Sequence, residues 1–227
     1  MANSLTTTIP DSAPFAIKDC ALIAIATGER AQNLKELRNQ MQNVPASCIY
    51  HHFWGSLVHP RFVEPEYNND FAAWASHALH DGVLAERLAV IDPVGAHSLE
   101  SLRQEIIEVI EERLDESIVP TWTRTDQQFE FVRSQIVIFD STRRVESPEQ
   151  FVDILPQLSL TSVFYHFIDA RRRHDDRLDD FRAWLNGFVE DYSDLVMALA
   201  EIDPYFSTLP QLRNRLATIF RRHFGAR

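Results

Sequence analysis

Apolar residues recur at helical spacing over long parts of the chain. Leu99, Leu102, Ile106 and Ile110 form one stripe near the middle, and Leu209, Leu212, Leu216 and Phe220 form another close to the end. Steps of three and four residues put such side chains on one face of an amphipathic helix. Residues suited to starting helices stand ahead of several stretches. Asn33 lies three positions before Glu36, and Ser147 three before Gln150, the spacing of a reciprocal capping box. Pro148 after Ser147 suits a first helical position. Ser47 and Thr161 precede two aromatic helices, and Ser98 and Thr208 precede the two apolar stripes. Asp92-Pro93 and Asp203-Pro204 mark helix ends, because the residue before proline is driven out of the α region. The blocks FAIKDCALIAIATG and FEFVRSQIVIFD are ambiguous. The first reads as a helix stopped at Gly28; the second, rich in Val, Ile and Phe, reads as a strand. The pattern predicts a mainly α protein, with a small β element if the two opening blocks pair.

The second half of the chain repeats the first. Residues 15 to 53 fall on 129 to 167 without a gap, matching Phe15 with Phe129, Arg30 with Arg144, and IYHHF with the FYHF that follows Val163. Further on, DFAAW (Asp70 to Trp74) meets DFRAW (Asp180 to Trp184), LAVIDP meets LAEIDP, and SLESLR meets TLPQLR. Blocks in constant order with short length changes predict a tandem duplication. The expected organisation is a tail at 1–14, a helical module at 15–114, a linker at 115–128 that Trp122 docks, and a second module at 129–227. The helices at 99–114 and 208–224 are expected to meet between the modules or in a homodimer.

Composition narrows the function. A chain of 227 residues with 45% hydrophobic and 24% charged residues has enough apolar surface for a buried core. The net charge of -11 opposes non-specific approach to nucleic acid and anionic membranes. Positive charge is nevertheless concentrated: Arg171, Arg172 and Arg173 are consecutive, and Arg213, Arg215, Arg221, Arg222 and Arg227 close a segment with no acid. Cys20 and Cys48 are too few and too far apart for a disulfide framework or thiolate metal site. The longest apolar run, Ala21 to Ala26, is too short to span a bilayer, and the polar start lacks a signal-peptide order. A reducing cytoplasm is the expected setting.

With YHHF, NDFAAW and LAERLAVIDP in the first half and FYHF, DDFRAW and LAEIDPYFSTL in the second, the chain from Pro14 onward resembles an uncharacterised bacterial family known only as a domain of unknown function. It is also similar to small Tyr-His modules attached to larger signalling or metabolic polypeptides. That likeness implies an accessory or regulatory module and carries no catalytic residues with it.

Candidate chemistry centres on the Tyr-His helices. His52 and His166 are equivalent, whereas His51 stands opposite Tyr165. One reading turns His52 and His166 inward onto Asp70 and Asp180 as part of the core. The other makes a polar ligand pocket in each half, from His51, His52, Arg61, Asn69, Asp70 and Trp74, and from Tyr165, His166, Arg171, Asp180 and Trp184. Imidazole, guanidinium and carboxylate beside an indole suit a small polar or anionic ligand. His80-Asp81 following His52 also resembles the metal-dependent HD phosphohydrolases, in which such residues bind a metal that activates water. Here Gly82-Val83 follows the pair, no later aspartate is assigned, and the second half has Glu190-Asp191 instead. LRNQMQNVPASCIYHHF resembles the helix-turn-helix of a transcription regulator, yet no Lys or Arg precedes Arg61 in its second helix to reach phosphate. With six glycines and no Gly-rich phosphate loop or nucleophile elbow, no cofactor is expected. The sequence therefore predicts a non-catalytic binding or regulatory adaptor for a protein partner or small polar ligand, with an HD-like hydrolase and a DNA-binding regulator as alternatives.

Overall fold

The computed structural model describes residues 13–58, 66–116, 125, 127–189, 191–205 and 207–225. Both opening blocks are strands, β1 (Phe15–Ala31) and β2 (Phe129–Val145), each of 17 residues. They pair with each other in an antiparallel two-stranded sheet. This corrects the mainly α expectation: the protein is α/β, and its sheet is a pair of long strands rather than a small accessory. Burial explains why periodicity misled. Phe15, Ile17, Cys20 and Leu22 are all buried, so the inward face changes parity partway along β1 and strict alternation fails. Gly28, expected to stop a helix, lies inside β1 with φ of 85°, and Thr142 holds φ of 60° at the equivalent place in β2. Glycine adopts that region without steric cost.

The helices follow in matching order. After β1 come α1 (Leu34–Met41) and α2 (Ala46–Tyr50), then a π-helical turn π1 (His51–Gly55) running into α3 (Ser56–Val58). Next are α4 (Asp70–His77), α5 (Gly82–Ala89) and α6 (Leu99–Glu116). After β2 come a 3-10 turn (Pro148–Gln150), α7 (Phe151–Ile154), α8 (Leu160–Val163), a second π turn π2 (Phe164–Asp169) and α9 (Ala170–Arg173). The series closes with α10 (Asp180–Leu185), α11 (Ser193–Ala200) and α12 (Leu209–Phe224).

Caps follow the sequence only in part. Asn33 accepts from the Glu36 amide while Glu36 accepts from Gln32, and Thr208 forms a reciprocal box with Gln211. Ser98 accepts from Ser101 at the start of α6. Ser147 makes no side-chain cap bond, Ser47 lies inside α2, and Ser159 rather than Thr161 caps α8. At Ser147 proline and 3-10 geometry take over the first turn.

The compact units differ from the two sequence repeats. One consists of residues 21–137; the other joins the first twenty residues to 138–227. Each helical set therefore holds the beginning of the strand that opens the other half of the sequence. In the unit of residues 21–137, α6 packs on α1, α2 and α5 and buries Leu102, Ile106, Ile107 and Ile110. In the other, α12 packs on α7, α8 and α11 and buries Leu209, Leu212, Leu216 and Phe220. Both apolar stripes are thus covered inside their own units, at roughly 1.5–3 kcal/mol per fully buried side chain. Of the expected linker, 117–124 and 126 lie outside the described residues, and Trp122 with them; Thr125 N–H donates to Gln32 O at 2.8 Å.

Candidate functional site

The helical run through α2 and π1 is buried almost all round, with only His51 half-exposed between Cys48 and Gly55; Ser162 to Ala170 are buried without a break. A helix buried all round has to be central in its unit. The π turns interrupt both central helices at the Tyr-His segment, and such turns often mark functional positions.

Each central histidine is hydrogen-bonded through both ring nitrogens. His52 Nδ1 lies 2.9 Å from Asp70 Oδ2, and His52 Nε2 lies 3.2 Å from the Val132 amide nitrogen. His166 repeats this with Asp180 Oδ2 at 2.6 Å and the Lys18 amide at 2.9 Å. A backbone N–H only donates, so Nε2 accepts and the ring proton sits on Nδ1, where it donates to the carboxylate. In this state the imidazole is neutral and bridges the first residue of α4 or α10 to a strand backbone.

The indoles hold the same strands. Trp74 Nε1–H donates to Gln127 O at 2.6 Å, and Trp184 Nε1–H donates to Ala13 O at 2.7 Å. Between these polar ties an aromatic plug fills the site. Phe129 lies 4.7 Å from the ring of His52, stacks on Phe71 at 5.1 Å and meets Trp74 at 5.7 Å. Phe15 lies 4.8 Å from His166, stacks on Phe181 at 5.4 Å and meets Trp184 at 5.6 Å. Both clasps read one pattern on an extended segment. The carbonyl two residues before the phenylalanine meets the indole, and the N–H three residues after it meets the imidazole.

The remaining candidates mostly support this clasp. Asn69 caps α4 by accepting from Ala72 N–H, and its amide donates to Leu88 O. Its counterpart Asp179 caps α10, is fully buried and accepts from Arg182 Nε at 2.6 Å. Burial raises the Asp179 pKa against the pull of Arg182 and Arg171. Arg171 lies over the Phe167 ring, 4.7 Å from its centroid, with Nη2 3.9 Å from Asp179. Tyr165 is buried beneath Arg173. His51 Nδ1 lies 2.7 Å from Ser134 Oγ on β2. Arg61 lies outside the described residues.

Sequence reasoning missed a charged network on the second clasp. Asp180 accepts from Arg173 Nη2 at 2.8 Å and meets His174 Nε2 at 2.7 Å, while buried Asp169 accepts from Arg172 and Arg173. Burial pushes the Asp180 carboxyl up, but bonds from His166, Arg173 and His174 outweigh it and hold the pKa at about 2. The run of three arginines and Asp180 are visible in the sequence; the buried Asp169 that joins them is not.

The HD-like trio is not assembled. Asp81 caps α5 by accepting from Leu84 N–H and receives Arg113 Nε at 2.8 Å, while His80 sits in a left-handed turn with φ of 55°. Among the described residues, one trio of metal-type side chains, His51, His52 and Asp70, has ligand atoms within 4.8 Å of one another. A metal on His52 Nδ1 would displace the ring proton while Nε2 still accepted an N–H, leaving an imidazolate. The neutral hydrogen-bonded ring explains the cluster better. The helix-turn-helix reading fares no better, since Ile49, Tyr50, Phe53 and Trp54 are buried and a recognition helix must present its side chains to the groove.

A model of a family of unknown function, DUF5752, matches residues 12–221. The solved structure of OrfY from Thermoproteus tenax is similar, with a TM-score of 0.80 and 26% identity, covering 92% of this chain and 95% of that one. No functionally curated protein matches.

Proposed function

The chain belongs to this family of unknown function, and we propose that it is a non-catalytic binding or regulatory adaptor, built by tandem duplication, that recognises a protein partner. One observation carries this reading: both nitrogens of His52 and of His166 are taken by a carboxylate and a strand amide. A general base needs a nitrogen within reach of substrate, and a metal ligand needs a free lone pair. The best-placed imidazoles have neither. The aromatic rings of Phe129 and Phe15 lie against those same histidines, which argues against a small polar ligand there and leaves recognition to the outer surfaces. Both cysteines are free and buried, which fits the reducing cytoplasm proposed as the setting. No helix among the described residues is long and apolar enough to cross a membrane.

Metal analysis of the purified protein, with a thermal melt in the presence and absence of chelator, tests this reading against the hydrolase alternative. The expected result is no stoichiometric transition metal and no chelator effect. About one metal per chain, lost on His52→Ala together with phosphoester turnover, would overturn it.

A further inference from the structure

The closing helices of the two halves share one burial pattern and carry opposite charge. From Ser101 to Asp115 on α6, each residue has the same exposure class as its counterpart from Gln211 to Gly225 on α12 and just beyond it. Their inward faces are equivalent in kind. On the outward faces, Glu105, Glu111 and Glu112 stand where Arg215, Arg221 and Arg222 stand. Glu108 and Asp115 extend the acidic face, and α12 contains no acidic residue.

Local packing does not account for the inversion. Among the described residues, Arg215, Arg221 and Arg222 make no ion pair, and neither do Glu105 and Glu112; Glu111 reaches Arg38 only at 3.7 Å. The outward faces therefore contribute little to holding either unit together, and either charge would satisfy the fold. An arginine face on a chain of net charge -11 is the place where another acidic surface meets attraction instead of repulsion.

We propose that α12 of one chain docks on α6 of a second copy of the same chain. The match is one of spacing as well as sign. Arg215 and Arg222 are two turns apart on one helix face, as are Glu105 and Glu112 on the other. Guanidinium forks donate paired hydrogen bonds to carboxylates. Exposed ion pairs are individually weak, so the association is salt-sensitive, and acid excess elsewhere confines it to this pairing of faces. The inference names one partner surface for the adaptor reading but uses nothing from the histidine clasps, so metal content and self-association test the two separately.

The test is sedimentation velocity of the full-length protein at low ionic strength and at about 1 M salt, where the Debye length falls to about 3 Å. Wild type is expected to associate at low salt and to sediment as a monomer at high salt. Arg215→Glu with Arg222→Glu sets carboxylates against Glu105 and Glu112 at the docking positions; Glu105→Arg with Glu112→Arg sets guanidinium groups against Arg215 and Arg222. Each double variant alone is expected to be monomeric at low salt, and an equimolar mixture to associate again. Thermal melts of both variants at the wild-type value would show that folding is intact. A monomeric wild type at low salt overturns the proposal, as does an Arg215→Glu/Arg222→Glu variant that still associates or a mixture that does not. An arginine face that instead retains DNA or an unrelated acidic protein while the chain stays monomeric overturns it too.

Discussion

The imidazole Nε2 of His166 accepts the backbone N–H of Lys18 at 2.9 Å, across 148 residues of sequence. With Asp180 on the other ring nitrogen, this histidine joins β1 to the first residue of α10. The imidazole that makes both bonds is only 2% exposed, so its own contribution to either bond is not readily replaced by solvent.

His166→Ala is therefore expected to destabilise the protein by about 2–4 kcal/mol, from a buried N–H left without an acceptor and the cavity of the lost ring. His52→Ala should fall toward the lower end, because Asp70 is 40% exposed and can turn to water while Asp180 is 15% exposed. His51 is half-exposed and bonds Ser134 on β2 without tying a strand amide, so His51→Ala should cost about 1 kcal/mol or less. Urea denaturation of the three variants checks this order. His51→Ala costing as much as His166→Ala would remove the distinction between the shared and the half-specific histidine.

Acid should loosen the second clasp through Asp180. Its carboxyl titrates at about 2 in the folded protein against an ordinary 3.8. A depressed folded pKa means that the unfolded chain takes up its proton first. The stabilisation is thus complete above about pH 5 and disappears as pH falls toward 2. The shift corresponds to about 2 kcal/mol. Asp180→Asn should be less stable near neutral pH and should lose this part of the acid dependence; equal slopes for variant and wild type between pH 5 and pH 2 would refute the assignment.

The difference between what the sequence shows and what it hides is local against long-range. Asn33 with Glu36 is visible because a capping box lies within three residues, and Thr208 is visible as the residue that opens its apolar stripe. The partnership of His52 with Asp70 is suggested by two matched blocks a short distance apart. The strand amides of Val132 and Lys18 are invisible as partners, because any non-proline residue offers the same N–H and only the exchange of strand beginnings between helical sets brings these two into place. The strand character of β1 is hidden for a related reason. Its inward face changes between Ile17 and Cys20, so no two-residue period extends along it. The repeat itself held a usable signal: Phe15 and Phe129 precede Lys18 and Val132 by equal steps, as the paired contacts to His166 and His52 require.

Cys20 and Cys48 should be inert in the native protein. Burial, followed by the carboxylates of Asp169 and Asp19, pushes the Cys20 thiol up to about 12, and burial also raises Cys48 despite nearby arginines. Since the thiolate is the nucleophile, neither should react with a disulfide reagent at pH 8 on the timescale of a free thiol, and both should react once urea unfolds the chain. Fast modification of one thiol before unfolding would mean that its strand or helix opens locally.

The indole of Trp184 holds the strand at its outermost tie, and a conservative change isolates that bond. Trp184→Phe keeps a ring against Phe15 and Phe151, which Trp184 meets edge-on at 5.6 and 5.7 Å, while removing the donor to Ala13 O. The expected cost is about 1 kcal/mol. Its character should be local, because only the first residues of β1 lose an anchor and segments open in parts rather than all together. Hydrogen exchange at the Lys18 amide, next along the same strand and bonded to His166, should quicken several-fold while amides in α12 change far less. Uniform acceleration across both would show that the indole supports the whole unit, and no change at Lys18 would show that the imidazole alone retains the strand. Trp74→Phe provides the parallel case through Gln127 and Val132, with a larger cost expected because Trp74 is 8% exposed and its 2.6 Å bond is less exposed than that of Trp184.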